Sequence, residues 1–117
     1  MEYRDTCEKA MTIDPKIRFA TICDMNGRVA HSEHRQGTSN LLNPDESKKS
    51  HQQAVNAWRN RNEFAGKIGH GKYVLAVYEK IKRITMPLND ELLLYITTDA
   101  DADHETIINK ALKLRQQ

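Results

Sequence analysis

The sequence predicts an α+β fold: a five-stranded antiparallel sheet with helices on both faces, in the order α-β-β-α-β-β-β-α. Three observations support this prediction. Between residues 72 and 97, three β-rich runs are separated by two short charged or polar breaks, as in an antiparallel meander. Asn26-Gly27 is a strong hairpin signal, because both residue types tolerate positive φ. Between these two groups of strands, Asn43-Pro44 begins a helical segment.

The first third of the chain predicts one helix and two strands. The helix covers Tyr3 to Met11 and ends before Asp14-Pro15, because a residue that precedes proline is disfavoured in the α region. A strand over Ile17 to Cys23 is mostly apolar on both sides, so we expect it inside the sheet. The return strand, Arg28 to His34, is more polar and is expected at an edge. Alternation assigns the first strand's side chains to two faces, one with Ile17, Phe19, Thr21 and Cys23 and one with Ala20 and Ile22.

The middle helix is predicted from residue 44 to about Ala65. Asn43 suits the N-cap, Pro44 the first helical position, and two acidic residues follow in the first turn. The apolar stripe of this helix is thin and depends on one tryptophan and small residues. Three glycines between residues 66 and 71 predict a flexible exit. After the meander, a last helix is expected to end near Arg115.

Composition indicates a single domain over residues 1–117, with 38% hydrophobic and 29% charged residues. The N-terminus has no apolar stretch typical of a signal peptide, and Tyr73 to Tyr78 is too short to cross a bilayer. Cys7 and Cys23 are expected to be free, buried thiols. These features together predict a cytoplasmic protein.

Motifs for catalysis, cofactors or metals are weak throughout. Asp99, Asp101 and Asp103 resemble the start of a calcium loop, but the glycine and the final glutamate of that motif are missing, so helix capping explains them better. His31 and His34 lie three apart in a predicted strand and therefore point to opposite faces. No serine lies in a nucleophile elbow, and no glycine run has phosphate-loop spacing. The sequence thus predicts a protein that is not an enzyme, with no catalytic, cofactor or metal residues.

Basic residues are concentrated in the middle of the chain, where residues 44–88 carry nine basic and four acidic side chains. Exposed hairpin turns are commonly rich in lysine, which keeps sheet edges apart, and this accounts for much of the excess. With nearby aromatic side chains, the same residues could instead form a nucleic-acid surface. The candidate basic partner surface consists of Arg59, Arg61, Lys80, Lys82 and Arg83.

The run from Lys72 to Tyr78 is unusual, because the predicted topology puts it at an outer edge while both of its faces are apolar or aromatic. Such an edge strand pairs readily with another chain unless something covers it. A symmetric partner would satisfy the edge and the face together, so we expect a homodimer. The alternative is that the glycine-rich segment 66–71 caps the edge. The predicted dimer interface consists of Tyr73, Val74, Leu75, Ala76, Val77, Tyr78, Trp58 and Val55.

The element order, with the hairpin Asp24-Met25-Asn26-Gly27-Arg28-Val29 placed early and the meander placed before a final helix, resembles the roadblock/dynein light chain family. Two stretches, IRFATICDMNGRV and GKYVLAVYEKIKRITMPL, also resemble short uncharacterised archaeal proteins of the ammonia-oxidising lineage. The roadblock resemblance implies a profilin-like sheet, dimerisation through the middle helix and the first meander strand, and a role as a platform for small GTPases or larger assemblies. The short first helix and polar middle helix depart from that pattern.

The same strand plan also describes PAS-like sensory domains, in which helices close a small-molecule pocket over the sheet. One continuous helix over 44–65 favours the roadblock plan, and the glycine-rich segment after it keeps the PAS-like plan open. The function predicted from sequence is therefore a non-enzymatic, homodimeric interaction or regulatory module. The alternatives are a PAS-like small-molecule sensor and, third, a weak nucleic-acid-binding protein.

Overall fold

The computed structural model describes residues 2–116. Met1 and Gln117, the ends of the predicted domain, lie outside the described residues. The predicted order of helices and strands is confirmed, with one short extra helix, α3, after the middle helix. The elements are α1 (Tyr3–Met11), β1 (Ile17–Asp24), β2 (Val29–His34), α2 (Pro44–Asn62), α3 (Ala65–Ile68), β3 (Val74–Val77), β4 (Ile81–Pro87), β5 (Leu92–Asp99) and α4 (His104–Leu112), followed by a 3₁₀ turn (Lys113–Gln116).

The five strands form one antiparallel sheet in the spatial order β2-β1-β5-β4-β3. The central strand, β5, is buried along almost its whole length, because helices cover it on both faces. β1 lies inside the sheet, as its apolar sequence predicts. β2 and β3 form the two edges, which confirms the sequence prediction for both.

Each face of the sheet has its own core. The larger core joins α1 and α4 to one face, through side chains such as Ala10, Ile22 and Ile107. The smaller core joins α2 to the other face and consists of Val55, Trp58 and Leu93. Within it, the Trp58 Nε1–H donates a hydrogen bond of 2.9 Å to the Thr85 Oγ1. The position of α2 on the sheet therefore depends on few side chains.

One face assignment from the sequence is wrong. Ile17 packs with Ala20 and Ile22 in the larger core, not with Phe19 on the opposite face. The reason is an irregularity in the β1–β5 register between Ile17 and Phe19, which breaks the two-residue alternation.

The ends of several elements also differ from the sequence prediction. α2 ends at Asn62 rather than Ala65, because Phe64, with φ −103° and ψ 6°, leaves the helical conformation and starts α3. β3 pairs only over Val74–Val77, so it is shorter than the predicted run. α4 ends at Leu112, and the chain continues as the 3₁₀ turn instead of as α-helix to Arg115. The predicted start of α2 is confirmed in detail, since the Asn43 and Glu46 side chains form a reciprocal capping box.

The glycine-rich segment after α2 is packed at one point. A Cβ on Gly71 would lie 2.6 Å from the Trp58 Cζ3, whereas a Cβ on Gly66 would meet no described atom within 4 Å. The backbone at Gly71 thus lies against the indole ring and completes the smaller core. The sequence predicts a flexible segment here, but at Gly71 the missing side chain is a packing requirement.

We predict that Gly71→Ala destabilises the fold by about 1–3 kcal/mol, because the added methyl group overlaps a buried ring that cannot move aside cheaply. Gly66→Ala is the matched control: it lies in α3 with open space around it, and should be neutral or stabilising by up to about 1 kcal/mol. Urea unfolding followed by tryptophan fluorescence measures both. Equal stability of the two variants would contradict the packing role of Gly71.

Candidate functional site

The edge strand β3 presents apolar side chains on both of its faces. Val74 and Ala76 lie on the face that α2 covers, and Leu75 packs against the larger core on the other face. Val77 is 63% exposed, and Tyr73 and Tyr78, which flank the strand, are 46% and 53% exposed. Within residues 2–116, β3 pairs with β4 alone, so its outer side faces no other strand.

Beside β3, a groove of about 220 Å³ runs between α2 and the sheet. We call it the α2–β3 groove. Its apolar lining comes from α2 and from β3, with Ala54 and Ala57 on one wall and Val74, Ala76 and Tyr78 on the other. Small alanine side chains on the helix let another chain approach its backbone closely. The groove is thus continuous with the open edge of β3.

Two residues of the predicted interface lie in the core instead. Val55 and Trp58 are 0% and 1% exposed, because both pack between α2 and the sheet. The prediction that they form interface contacts is therefore corrected. Trp58 lines the α2–β3 groove at its base, and the exposed surface comes from the small residues on α2 and from β3.

The opposite edge, β2, has a different character. It is polar, with His31 Nε2 lying 2.5 Å from Glu33 Oε2, and α1 packs beside it. The β1–β2 register is also irregular between Ile22 and Cys23. Charged side chains, bulges and covering helices are the usual means by which a sheet edge avoids pairing with another chain. β2 has charged side chains and an irregular register, whereas β3 has an apolar sequence and only its short length as protection.

The five residues of the candidate basic partner surface do not lie together. Lys82 lies on the sheet face that α2 does not cover, and its Nζ donates there to the Ala102 carbonyl oxygen at 2.9 Å. Arg59 reaches from α2 to the β1–β2 hairpin, where it donates to the Met25 carbonyl oxygen. The Arg61 guanidinium lies 5.3 Å from the Trp58 ring centroid. Lys80 is exposed in the β3–β4 turn.

Arg83, the fifth of these residues, belongs to a polar cluster under the N-terminal half of α2. Its Nη1 donates to the Ser50 Oγ at 3.0 Å, and the Ser50 Oγ lies 2.6 Å from the Tyr95 hydroxyl oxygen. Its guanidinium carbon is 5.5 Å from the Tyr78 ring centroid and 5.6 Å from that of Tyr95. His51 packs edge-on against Tyr95, and burial together with the nearby Arg83 charge lowers the His51 pKa below its usual value.

This cluster borders a cavity of about 120 Å³ between α2, the sheet and the loop at residues 39–42, which we call the polar cavity. No local stretch of sequence indicates this cavity, because its lining comes from β1, β2, the loop before α2, α2 itself, β4 and β5. It is smaller than the roughly 300–1,000 Å³ typical of sites that enclose organic ligands, the kind that a PAS-like sensor would need. The polar side chains that line it include Arg18, Thr21, Ser47, Ser50, His51, Arg83 and Tyr95.

At the other end of the polar cavity, Arg18 belongs to an ion cluster around Asp99. The Asp99 carboxylate accepts from the Arg35 Nη1 at 2.9 Å and from the Arg18 Nη1 at 3.1 Å. The two hydrogen bonds from Arg35, followed by the one from Arg18, hold the pKa of the Asp99 carboxyl below its usual value. One carboxylate thus serves two guanidinium groups, and the cluster keeps a net positive charge.

The two cysteines are free and buried, as predicted. Burial raises the pKa of each thiol to about 11, so both are protonated near neutral pH and poorly nucleophilic. Within residues 2–116, no three or more histidine, cysteine, aspartate or glutamate side chains are arranged to hold a metal ion. The same residues include no helix with the length and hydropathy of a membrane span.

Comparison with solved structures places this fold among roadblock and profilin domains. The gliding protein MglB of Thermus thermophilus superposes with a TM-score of 0.80 at 11% identity, over 97% of this chain and 83% of that one. A Roadblock/LC7 domain from Streptomyces avermitilis gives 0.76 at 12% identity, over 99% and 93%. Acanthamoeba castellanii profilin II gives 0.66 at 12% identity, over 97% and 94%.

No family model matches the chain, and no curated protein matches it either. At 11–12% identity, the structural likeness shows the fold alone. The resemblance to archaeal proteins stays a prediction. The chain therefore has the roadblock and profilin-like fold that its sequence predicts.

We predict that Asp99→Asn lowers the free energy of unfolding near neutral pH by about 1 kcal/mol, allowing for the partial exposure of the cluster. Because the folded-state pKa of Asp99 is depressed, its contribution is complete above about pH 5 and is lost as the pH falls through that lowered value. The difference between wild type and variant should thus shrink below about pH 4.

Denaturant unfolding across this pH range measures the effect. Asp90→Asn is the control, since Asp90 is exposed and takes part in no ion pair among residues 2–116. A difference between wild type and Asp99→Asn that stays constant down to about pH 2 would contradict the assignment.

Proposed function

We propose that this protein is a non-enzymatic, homodimeric interaction module that acts as one domain, with β3 and the α2–β3 groove as its interface. Two copies of β3 would pair edge to edge and join the two sheets. The observation that carries the proposal is the contrast between the edges: β2 is charged and irregular, while β3 is apolar and its outer side faces no other strand among residues 2–116.

The chemistry of the surface supports a second copy of the same chain as the partner. A β3 strand from another copy would supply main-chain hydrogen bonds to the open edge. Its neighbouring α2 would cover the groove, where Ala54 and Ala57 leave room for a helix. Tyr73, Val77 and Tyr78, all about half exposed or more, would lose contact with water. A two-fold axis brings the same patch of both copies together, so one apolar surface satisfies both sides.

We further propose that the dimer serves as a platform for a second protein. The roadblock resemblance implies a small GTPase or a larger assembly as that partner. One structural neighbour, MglB, was solved in a tetrameric arrangement; that arrangement is a property of MglB.

The two alternative functions have less support. A nucleic-acid surface needs basic residues along one continuous face, but Lys82 lies on the opposite face from Arg83, and Arg59 is engaged with the hairpin. The polar cavity is smaller than the sites that usually enclose organic ligands, so it does not support a PAS-like sensor.

We predict that the wild-type protein is a dimer by size exclusion with light scattering at micromolar concentration, and that Ala76→Glu is a folded monomer. The new carboxylate would be buried against its symmetry mate in the dimer. In the monomer it can pair with Arg83, which lies directly opposite Ala76 on β4, so the fold is preserved.

Ala30→Glu is the matched control, since it makes the same change on the other edge strand, where Ala30 is exposed. It should remain dimeric, and far-UV circular dichroism should show native secondary structure for both variants. A wild-type protein that is strictly monomeric at high micromolar concentration would refute the dimer. A dimeric Ala76→Glu would show that the interface lies elsewhere.

A further inference from the structure

The polar cavity has the charge and the hydrogen-bond donors of an anion site. Among the described residues, no aspartate or glutamate lines it, while two arginines, one histidine and several hydroxyl groups do. Arg83 and Arg18 contribute from different strands, β4 and β1, and Ser47 and Ser50 contribute from α2. Donors converging from several sides of a small concave space are what recognition of an oxyanion requires.

Arg83 is the central group of this site. Within residues 2–116, none of its nitrogens lies within 4.0 Å of a carboxylate oxygen, so its charge has no ion-pair partner there. Its Nε is buried and has no hydrogen-bond partner in that same part of the chain. Burying a charged donor without an acceptor is costly, and a native fold normally supplies one. The packing around Arg83, with Tyr78 and Tyr95 close to its guanidinium, holds the group in place.

Arg18 adds a second positive charge. It shares the Asp99 carboxylate with Arg35, so the two arginines together are not neutralised. Its other terminal nitrogen donates to the Ser39 carbonyl oxygen at 2.9 Å, which ties it to the loop at the cavity border. The potential inside the polar cavity is therefore positive from both ends.

We propose that the polar cavity binds a small oxyanion of the phosphate class. A volume of about 120 Å³ suits a tetrahedral oxyanion or a few water molecules. The anion accepts from Arg83 and from the hydroxyl groups on α2. Burial and the Arg83 charge lower the pKa of His51, so near neutral pH His51 adds a polar group without adding to the charge of the two arginines.

Isothermal titration calorimetry with inorganic phosphate, in chloride buffer at constant ionic strength, tests the site. We expect saturable binding of one phosphate per chain, similar binding of sulfate, and weaker binding of acetate. Arg83→Gln should weaken phosphate binding by roughly tenfold or more, because it removes a charge-assisted donor. Arg28→Gln removes the same charge from an exposed turn and should bind like the wild type.

A second variant separates binding from folding. Ser47→Leu keeps every charge but places a bulky side chain at the cavity wall, and it should abolish saturable binding while circular dichroism stays native. Absence of saturable phosphate or sulfate binding by the wild type would overturn the proposal. So would wild-type affinity in folded Arg83→Gln or in Ser47→Leu, or acetate binding as tight as phosphate. The measurement is made per chain, so it is independent of whether the protein dimerises.

Discussion

The contact on which the candidate sites depend is that of Trp58 with the sheet. α2 is 19 residues long, yet its buried residues are only Val55 and Trp58 among those that the structure describes. The indole ring fills the space between helix and sheet, its Nε1–H is satisfied by Thr85 on β4, and the backbone at Gly71 closes over it. Removing a buried tryptophan of this kind typically costs about 3–5 kcal/mol. Here it would also release the helix that forms one wall of both the α2–β3 groove and the polar cavity.

The buried contacts of α2 lie in its C-terminal half, and this explains why both the α2–β3 groove and the polar cavity exist. Nearer its N-terminus, the helix faces the sheet with Ser47, Ser50 and His51, which are too small or too polar to fill the gap with apolar contacts. Toward β3 it presents alanines, which leave the groove open. The capping box at Asn43 and Glu46 fixes the start of the helix without side-chain packing. α2 thus contacts the sheet through apolar packing at Val55 and Trp58 and through the Ser50 hydrogen bonds to Arg83 and Tyr95, and it is incompletely packed toward its N-terminus.

Much of the fold can be predicted from the sequence, because short segments specify its turns, its helix cap and its strands. The Asn26-Gly27 turn, the Asn43 cap and the three β-rich runs each specify a short-range structure, and together they leave few ways to order the strands. The face of Ile17 and the tight packing of Gly71 could not be predicted, since one depends on register with β5 and the other on a ring thirteen residues away. For the candidate site, the apolar edge of β3 was visible from its composition. The burial of Val55 and the separation of Lys82 from Arg83 follow from tertiary packing, which no local pattern encodes.

The groove and the cavity are not separate features of this surface. Ser50, Arg83 and Tyr95 line both of them. On one side Arg83 contacts Tyr78 at the end of β3, and on the other its hydrogen bond to Ser50 forms part of the cavity border. Ala76, at the centre of the open edge, is its cross-strand neighbour. The half-buried Arg83 guanidinium lies close to two tyrosine rings, so a shift of this group for one surface would also alter the other. The shape of the edge that β3 offers to another chain is therefore set partly by the polar groups behind it.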